Sequence, residues 1–334
     1  MRYSSRLIIA AILLIVCATA AQAQRNPGMV DQQRDAEKES YFANFLNLKR
    51  VPLPDSQRRA YEAAIEYLKR FEGDRDPDAK TVRAFVTDYE RAAGYSQIFS
   101  AYNSKNYAEV FELGRTALKR DPKNFFVLSL MTQAGIDTAQ AGDASLNEET
   151  LGYAREAIQL IEAGKAAKPD PFKNMETARG YLNAAVGTLL RDKSPAEAAQ
   201  AFRKAVLSES WYRGDPITYH RLGVAILRGE FTQLSKEYND KYLNQPSSAD
   251  QQAMLGRINK LVEQAIDAYA RAVALADPAL RPANLDEPGA RPQFSPDLKN
   301  RILEQLTPLY KSSHNNSDAG LKELVASVLS KPLP

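Results

Sequence analysis

Apolar and small residues recur along this chain three and four positions apart, which is the spacing of one face of a helix. One copy has Ala157, Ile161 and Gly164, followed by Pro169. Small residues on such a face let a neighbouring helix approach, the large residue fills the space, and proline ends the unit. Further copies lie at Ala198, Phe202 and Ala205; at Ala265, Tyr269 and Ala272; and at Val110, Gly114 and Ala117. The pattern predicts stacked helical hairpins.

Capping residues and prolines predict where helices begin. Asp55 and Asp76 are candidate N-caps, and a proline follows Asp76 at the first helical position. The sequence Ser194-Pro195-Ala196-Glu197 has the form of a capping box. The predicted helices cover about 31–50, 55–71, 77–102 with a break near Gly94, 107–120, 124–140, 150–167, 174–191, 195–208, a helix from 216, 231–243, a helix from 261, 296–311 and 318–330.

These elements divide the chain into five segments. The predicted organisation is a signal peptide over 1–23, a lead and helix over 24–54, helical repeats over 55–278, a proline-rich connector over 279–295 and a C-terminal helical pair over 296–334. An insertion at about 229–256 separates the helix that begins at Pro216 from its partner near Leu261. The predicted class is all-α, with helical hairpins stacked as an α-solenoid and irregular helices at both ends.

The first residues have the pattern of a secretory signal. A basic start, an apolar run and the small-residue sequence Ala21-Gln22-Ala23 occur in that order. The apolar run is shorter than the roughly 20 residues that span a bilayer, so cleavage is favoured over the alternative of an N-terminal membrane anchor. Cleavage after Ala23 would remove Cys17, which is the only cysteine. We therefore expect an exported protein, periplasmic or secreted, with no further membrane span.

Composition and charge exclude some partners. Apolar residues make up 44% of the chain and charged residues 25%, which are ordinary values for a globular protein. The formal net charge is +3, and loss of Arg2 and Arg6 with the signal would leave 3 − 2 = +1. A protein so close to neutral has no electrostatic reason to bind nucleic acid.

The repeat pattern resembles the tetratricopeptide repeat family. NYAEVFELGRTALKRDPKN, SPAEAAQAFRKAVLSES and VEQAIDAYARAVALADP are similar to the second helix of that repeat, and Tyr219, Leu222 and Gly223 are similar to the opening of its first helix. The resemblance covers roughly 76–278. The loop near 143–149 and the insertion lengthen the period beyond about 34 residues. The alternative is a bundle of unrelated helices. The resemblance implies a concave face, formed by the first helix of each pair, that binds a protein or peptide.

Catalytic and cofactor motifs are missing from the sequence. There are two histidines, His220 and His314, and there is no HExxH, CxxC or GxGxxG sequence and no phosphate-binding glycine loop. Neither GYSQIF nor SPAEAA has the Gly-x-Ser-x-Gly frame of a nucleophile elbow. We therefore expect that the protein has no enzymatic activity, no cofactor and no metal site.

The matching faces of the first helices supply the candidate binding residues. They carry aromatic and polar side chains instead of the Lys, Asn and Arg with which some family members bind the C-terminus of a partner. The predicted set for the concave face is Tyr95, Phe99, Tyr102, Gln133, His220 and Arg228. The structural alternative is that the aromatic residues belong to the core and that His220 packs near a helix start.

The predicted function is that of an exported scaffold or adaptor that binds a protein or peptide partner in the cell envelope without catalysis. One alternative is a non-catalytic component that binds a small glycan or lipid, which a closed apolar pocket would favour. A less favoured alternative is a hydrolase, which needs two carboxylates that converge in one deep pocket.

Overall fold

The computed structural model describes residues 27–282 and 296–334, and within these residues the regular structure is helical, with no strand. The helices are α1 (Pro27–Lys49), α2 (Pro54–Arg70), α3 (Pro77–Asn103), α4 (Tyr107–Arg120), α5 (Phe125–Gln140), α6 (Asn147–Glu162), α7 (Met175–Leu190), α8 (Pro195–Leu207), α9 (Pro216–Ile226), α10 (Thr232–Tyr242), α11 (Ala249–Ala276), α12 (Pro296–Ser313) and α13 (Leu321–Ser327). Consecutive helices pack against each other, which confirms the predicted α-solenoid of helical hairpins. The predicted signal peptide and most of the connector lie outside the described residues.

Several predicted boundaries differ from the structure. Helix α1 begins at Pro27, within the predicted lead, and α3 continues through Gly94 without a break. Helix α6 ends at Glu162 instead of about 167, because Gly164 takes a φ of +63° beyond its end. Gly164 is exposed, so it is not a packing position of the recurring signature. The final predicted helix is shorter, ending in a 3₁₀ turn at Val328–Ser330.

The structure confirms some of the predicted N-caps and contradicts others. Oδ1 of Asp76 accepts a hydrogen bond from the Ala79 amide at 2.9 Å, which confirms the cap of α3. Asp55 is not a cap, because α2 begins at Pro54 and places Asp55 in its first turn. Ser194 occupies the cap position of α8, but its hydroxyl bonds to the Glu197 side chain at 3.1 Å and to no backbone amide. The boundary is confirmed and the capping box is not.

The described residues divide into two compact units, 27–96 and 97–282 with 296–334. In the first unit, aromatic side chains of α1 and α2 form the core with Val82 of α3, and Phe45 and Tyr67 are fully buried. Lys38 joins this unit's helices through ion pairs to Asp74, at 2.5 Å, and to Asp76. Burial of aromatic rings thus holds the hairpin together, and the ion pairs connect it to the start of α3.

In the second unit, the recurring signature forms the contacts between paired helices. Phe202 of α8 is fully buried against Gly187 of α7, and Tyr269 of α11 lies against Gly223 of α9. A Cβ on either glycine would come within 3 Å of the facing ring. Each large residue therefore occupies space that a glycine on the partner helix leaves open.

The predicted insertion at 229–256 is continuous with the repeat helices. Helix α9 passes through a π turn, Leu227–Phe231, directly into α10, with non-helical backbone angles at Gly229. The partner helix α11 begins at Ala249, not near Leu261, and Ser248 and Gln251 form its capping box. The insertion is therefore a kinked extension of α9, a short turn and the first part of α11.

Candidate functional site

The first helices of successive pairs in the second unit contact one another and form one side of the stack. We call the surface made by residues 97–103 of α3 and by α5, α7 and α9 the first-helix face. The Phe99 ring lies 6.4 Å from the Phe126 ring of α5, measured between centroids. Nη1 of Arg221 in α9 lies 3.4 Å from the hydroxyl of Thr188 in α7.

The predicted binding residues do not form one cluster in the structure. Phe99 is 43% exposed, and Tyr102 and Gln133 are half-buried.

The His220 imidazole donates from Nε2 to Oε1 of Gln305 at 3.0 Å, so it contacts helix α12. Arg228 is exposed and pairs with Asp192 at 3.0 Å. Tyr95 is half-buried and belongs to the first unit, so it is described apart from the first-helix face.

Two tyrosines and one carboxylate meet beside Tyr102. The hydroxyls of Tyr102 and Tyr107 both donate to Oδ2 of Asp137, at 3.2 Å and 3.0 Å. Burial, followed by the Asp137 charge and hydrogen bond, raises the pKa of Tyr102 to about 12. Burial and its own hydrogen bond to Asp137 also raise the pKa of Tyr107. Both phenols are therefore neutral donors at neutral pH, and the charge of this cluster is that of Asp137.

A second pair of tyrosines continues this arrangement along α7. The rings of Tyr181 and Tyr212 meet edge to face with centroids 6.5 Å apart, and Phe172 lies 5.3 Å from Tyr181. Burial, then Tyr212, then the charge of Asp137 raise the pKa of Tyr181 well above its ordinary value. Both Tyr212 and the Asp137 cluster thus act on Tyr181.

A glycine lets the segment after α8 approach α7 closely. A Cβ on Gly180 would lie 2.6 Å from the Ser208 hydroxyl and 2.9 Å from the Tyr212 ring. The 3₁₀ turn Trp211–Gly214 therefore rests on α7 at this position. Its Trp211 is 41% exposed and lies on Tyr212 with ring centroids 4.0 Å apart.

Arg221 ends the row of side chains. Its guanidinium is half-buried, and burial lowers its pKa from the ordinary value, while the charge of Asp215 and the nearby Tyr212 oppose that shift. A guanidinium stays protonated in proteins, so this end of the row is positive. We call these six residues the tyrosine strip: Tyr102, Tyr107, Asp137, Tyr181, Tyr212 and Arg221.

Of the predicted residues, only Tyr102 belongs to the tyrosine strip. A sequence signal for two of the missed residues does exist. Asp137 is the only Asp, Glu, Lys or Arg in α5, and Arg221 is the only one in α9. A lone charge in an otherwise apolar or neutral helix indicates a special environment, since unpaired charges are costly to bury.

Two clefts lie elsewhere in the second unit. One of about 560 Å³ is lined by the end of α8, Arg271 of α11 and the C-terminal tail near Pro332. The other, of about 260 Å³, lies between α6 and α8, where Glu162 and Glu197 each face a basic side chain.

Within residues 27–282 and 296–334, no group of three or more His, Cys, Asp or Glu side chains is arranged to hold a metal ion. None of the helices in that part of the protein has the length and apolar character needed to cross a membrane. No family model, curated protein or solved structure matches this sequence. Its relation to the tetratricopeptide repeat family thus stays a prediction from the repeat residues.

Proposed function

We propose that this protein is an adaptor that binds a protein or peptide partner along the tyrosine strip. The observation that carries the proposal is the set of tyrosines from α3, α4, α7 and the turn after α8, two of which donate hydrogen bonds to Asp137 of α5 and two of which meet edge to face. Tyrosine and tryptophan supply large contact areas at a low entropic cost, and they dominate the binding energy of many interfaces.

Two exposed aromatic residues extend the strip at its edges. Phe99 precedes Tyr102 by one turn of α3 and is 43% exposed, and Trp211 is 41% exposed beside Tyr212. One exposed ring next to the half-buried Tyr102, and another next to the buried Tyr212, match the arrangement of aromatic anchors surrounded by polar groups. A partner that covers the strip would also bury these two rings.

Recognition without catalysis fits the chemistry of the strip. Catalytic acids and bases work best with a pKa close to the working pH. Burial instead raises the pKa of Tyr102 to about 12, so its phenol holds its proton at neutral pH. The proposed setting is the cell envelope, because residues 1–23 have the sequence pattern of a secretory signal.

Capture of partners from envelope extract by the tagged full-length protein tests this proposal. We expect a partner to bind the wild type and to be lost from the double variant Phe99→Ala, Trp211→Ala, because both rings border the strip. The matched control is Leu255→Ala on α11, a residue that is 42% exposed and outside the first-helix face. Equal capture by all three proteins would contradict a binding surface at the strip.

A further inference from the structure

Asp137 accepts hydrogen bonds from two donors but has no counter-charge in the part of the chain that the structure describes. Its Oδ2 accepts from two tyrosine hydroxyls, while no basic side chain among the described residues lies within ion-pair distance of it. Glu149 shows the contrasting case: it also accepts from a tyrosine, Tyr153, and in addition pairs with Arg115 at 2.7 Å. A half-buried carboxylate without a cation is an uncompensated charge that a basic group of a ligand would neutralise.

Arg221 is the opposite case: it is a cation without a carboxylate partner among the described residues. Its hydrogen bond to Thr188 is long, at 3.4 Å, and no carboxylate in the described ranges lies within ion-pair distance of it. The nearby Asp215 is the N-cap of α9. Its oxygens accept hydrogen bonds from the Thr218 amide at 3.0 Å and from the Thr218 hydroxyl at 2.5 Å. By contrast, the buried Arg271 pairs with Asp267 at 2.6 Å. Arg221 is therefore a partly desolvated cation, and several of its N–H groups are available as hydrogen-bond donors to a ligand.

The other two tyrosines of the strip differ in exposure: Tyr181 is half-buried, and Tyr212 is buried, with 7% of its surface exposed. The charge of Asp137 acts on Tyr181 and Tyr212 acts on Arg221, and the rings of Tyr181 and Tyr212 lie 6.5 Å apart between centroids. An extended peptide advances about 3.3 Å per residue, so the 6.5 Å between these two rings corresponds to about two residues of a ligand. Groups that reach both charges must therefore be separated by at least that length of peptide.

We propose that the tyrosine strip binds an extended peptide segment of a partner protein, with a lysine or arginine side chain at Asp137 and an acidic side chain at Arg221. This inference rests on the proposed function and specifies the partner's chemistry. Charge complementarity sets the direction of the segment, because the reversed peptide would place like charges together at both ends. The half-buried Tyr181 ring would contact the residues between the two charged positions, and the buried Tyr212 would support that ring.

Selection of a random peptide library on the immobilised full-length protein tests this assignment. We expect enriched peptides to carry a basic and an acidic residue at a constant separation and in a constant order. Asp137→Asn should remove the preference for the basic residue, and Arg221→Gln the preference for the acidic one. Each substitution should weaken a selected peptide about tenfold to a hundredfold, the range for a hydrogen bond to a charged group.

Matched controls separate the charge effects from misfolding. Asp240→Asn and Arg155→Gln change exposed charges outside the strip and should leave affinity unchanged. Arg221→Lys should retain the acidic preference with reduced affinity, because lysine keeps the charge and loses the guanidinium fork. Circular dichroism of each variant confirms that the helices are intact.

The outcomes distinguish this inference from the proposed function. Peptides that lose affinity on Trp211→Ala, yet show no preference for either charge, would overturn the inference and leave the adaptor function standing. A selection in which no peptide depends on Trp211, Asp137 or Arg221 would overturn both. Preference for both charges, lost one at a time in the two variants, supports the inference.

Discussion

Gly229 lies against the first turn of α8, where a Cβ on it would come within 2.6 Å of the backbone nitrogen of Ala196. The facing atoms belong to the backbone of Pro195 and Ala196, so no side-chain rotation can relieve the contact. This close approach coincides with the kink between α9 and α10, where Gly229 has a φ of −94° and a ψ of −109°. The kink that begins the predicted insertion is thus held by a glycine–backbone contact.

We expect Gly229→Ala to destabilise the second unit by about 1–3 kcal/mol, the usual cost of overpacking. Urea denaturation followed by circular dichroism measures this loss. The control is Gly256→Ala in α11, where a Cβ would have nothing within 4 Å. There alanine should stabilise the helix by up to about 1 kcal/mol, because glycine is a poor helix former. A neutral or stabilising Gly229→Ala would contradict the tight contact.

Phe202→Ala should cost about 3–5 kcal/mol in the free energy of unfolding, because it removes a fully buried ring and opens a cavity against Gly187. Leu207→Ala on the same helix is the matched control, since Leu207 is 59% exposed. Its effect should stay within about 0.5 kcal/mol. If urea denaturation gave similar losses in the free energy of unfolding for both substitutions, the buried position of Phe202 against Gly187 would be contradicted.

Acid should destabilise the first unit through Asp76. Its hydrogen bond with Lys38 holds the pKa of the Asp76 carboxyl at about 2, below its ordinary 3.8. Stability from this pair is therefore present above about pH 4, and it is lost as the pH falls through 2, since the unfolded state takes up the proton first. Hydrogen exchange of α1 and α2 amides across this pH range measures the loss.

Asp76→Asn isolates the charge in that experiment. Asparagine is as good an N-cap as aspartate, so the cap of α3 should persist while the ion pair with Lys38 is lost. The variant should show a weaker dependence of amide protection on pH between 4 and 2 than the wild type. An unchanged dependence would assign the acid sensitivity to other carboxyl groups.

Asp137→Asn should lower the pKa of Tyr102 from about 12 without restoring its ordinary 10. Burial is the larger cause of the shift and remains in the variant, whereas the negative charge that opposes phenolate formation is removed. Ultraviolet titration of the wild type and variant, compared with Tyr102→Phe, identifies this phenol. A pKa that does not move would mean that Asp137 and Tyr102 are not adjacent in solution.

Helix locations were predictable because they follow from local signals. The boundaries at Pro77, Tyr107 and Pro195 agree with the sequence prediction, since capping residues, prolines and the three-and-four spacing act within a few residues of one another. The fold class followed from the same repeat. The prediction for 150–167 was wrong because Gly164 ends that helix early, and glycine is compatible with both a packed helix face and a turn.

Contacts between distant helices depended on the tertiary structure. Gly114 stands where the other copies have a large residue, because the Met131 side chain from α5 fills that space, with Cγ 2.8 Å from where a Cβ would be. Likewise, Asp137 accepts hydrogen bonds from Tyr102 and Tyr107, which lie on other helices. Among the described residues, the only side-chain hydrogen bond of Arg221 is the one to Thr188. The pattern of apolar and polar residues determined that hairpins form and stack. Which side chains face one another, and which charges lack a partner, depends on the exact offset between packed helices, and no local signal specifies that offset.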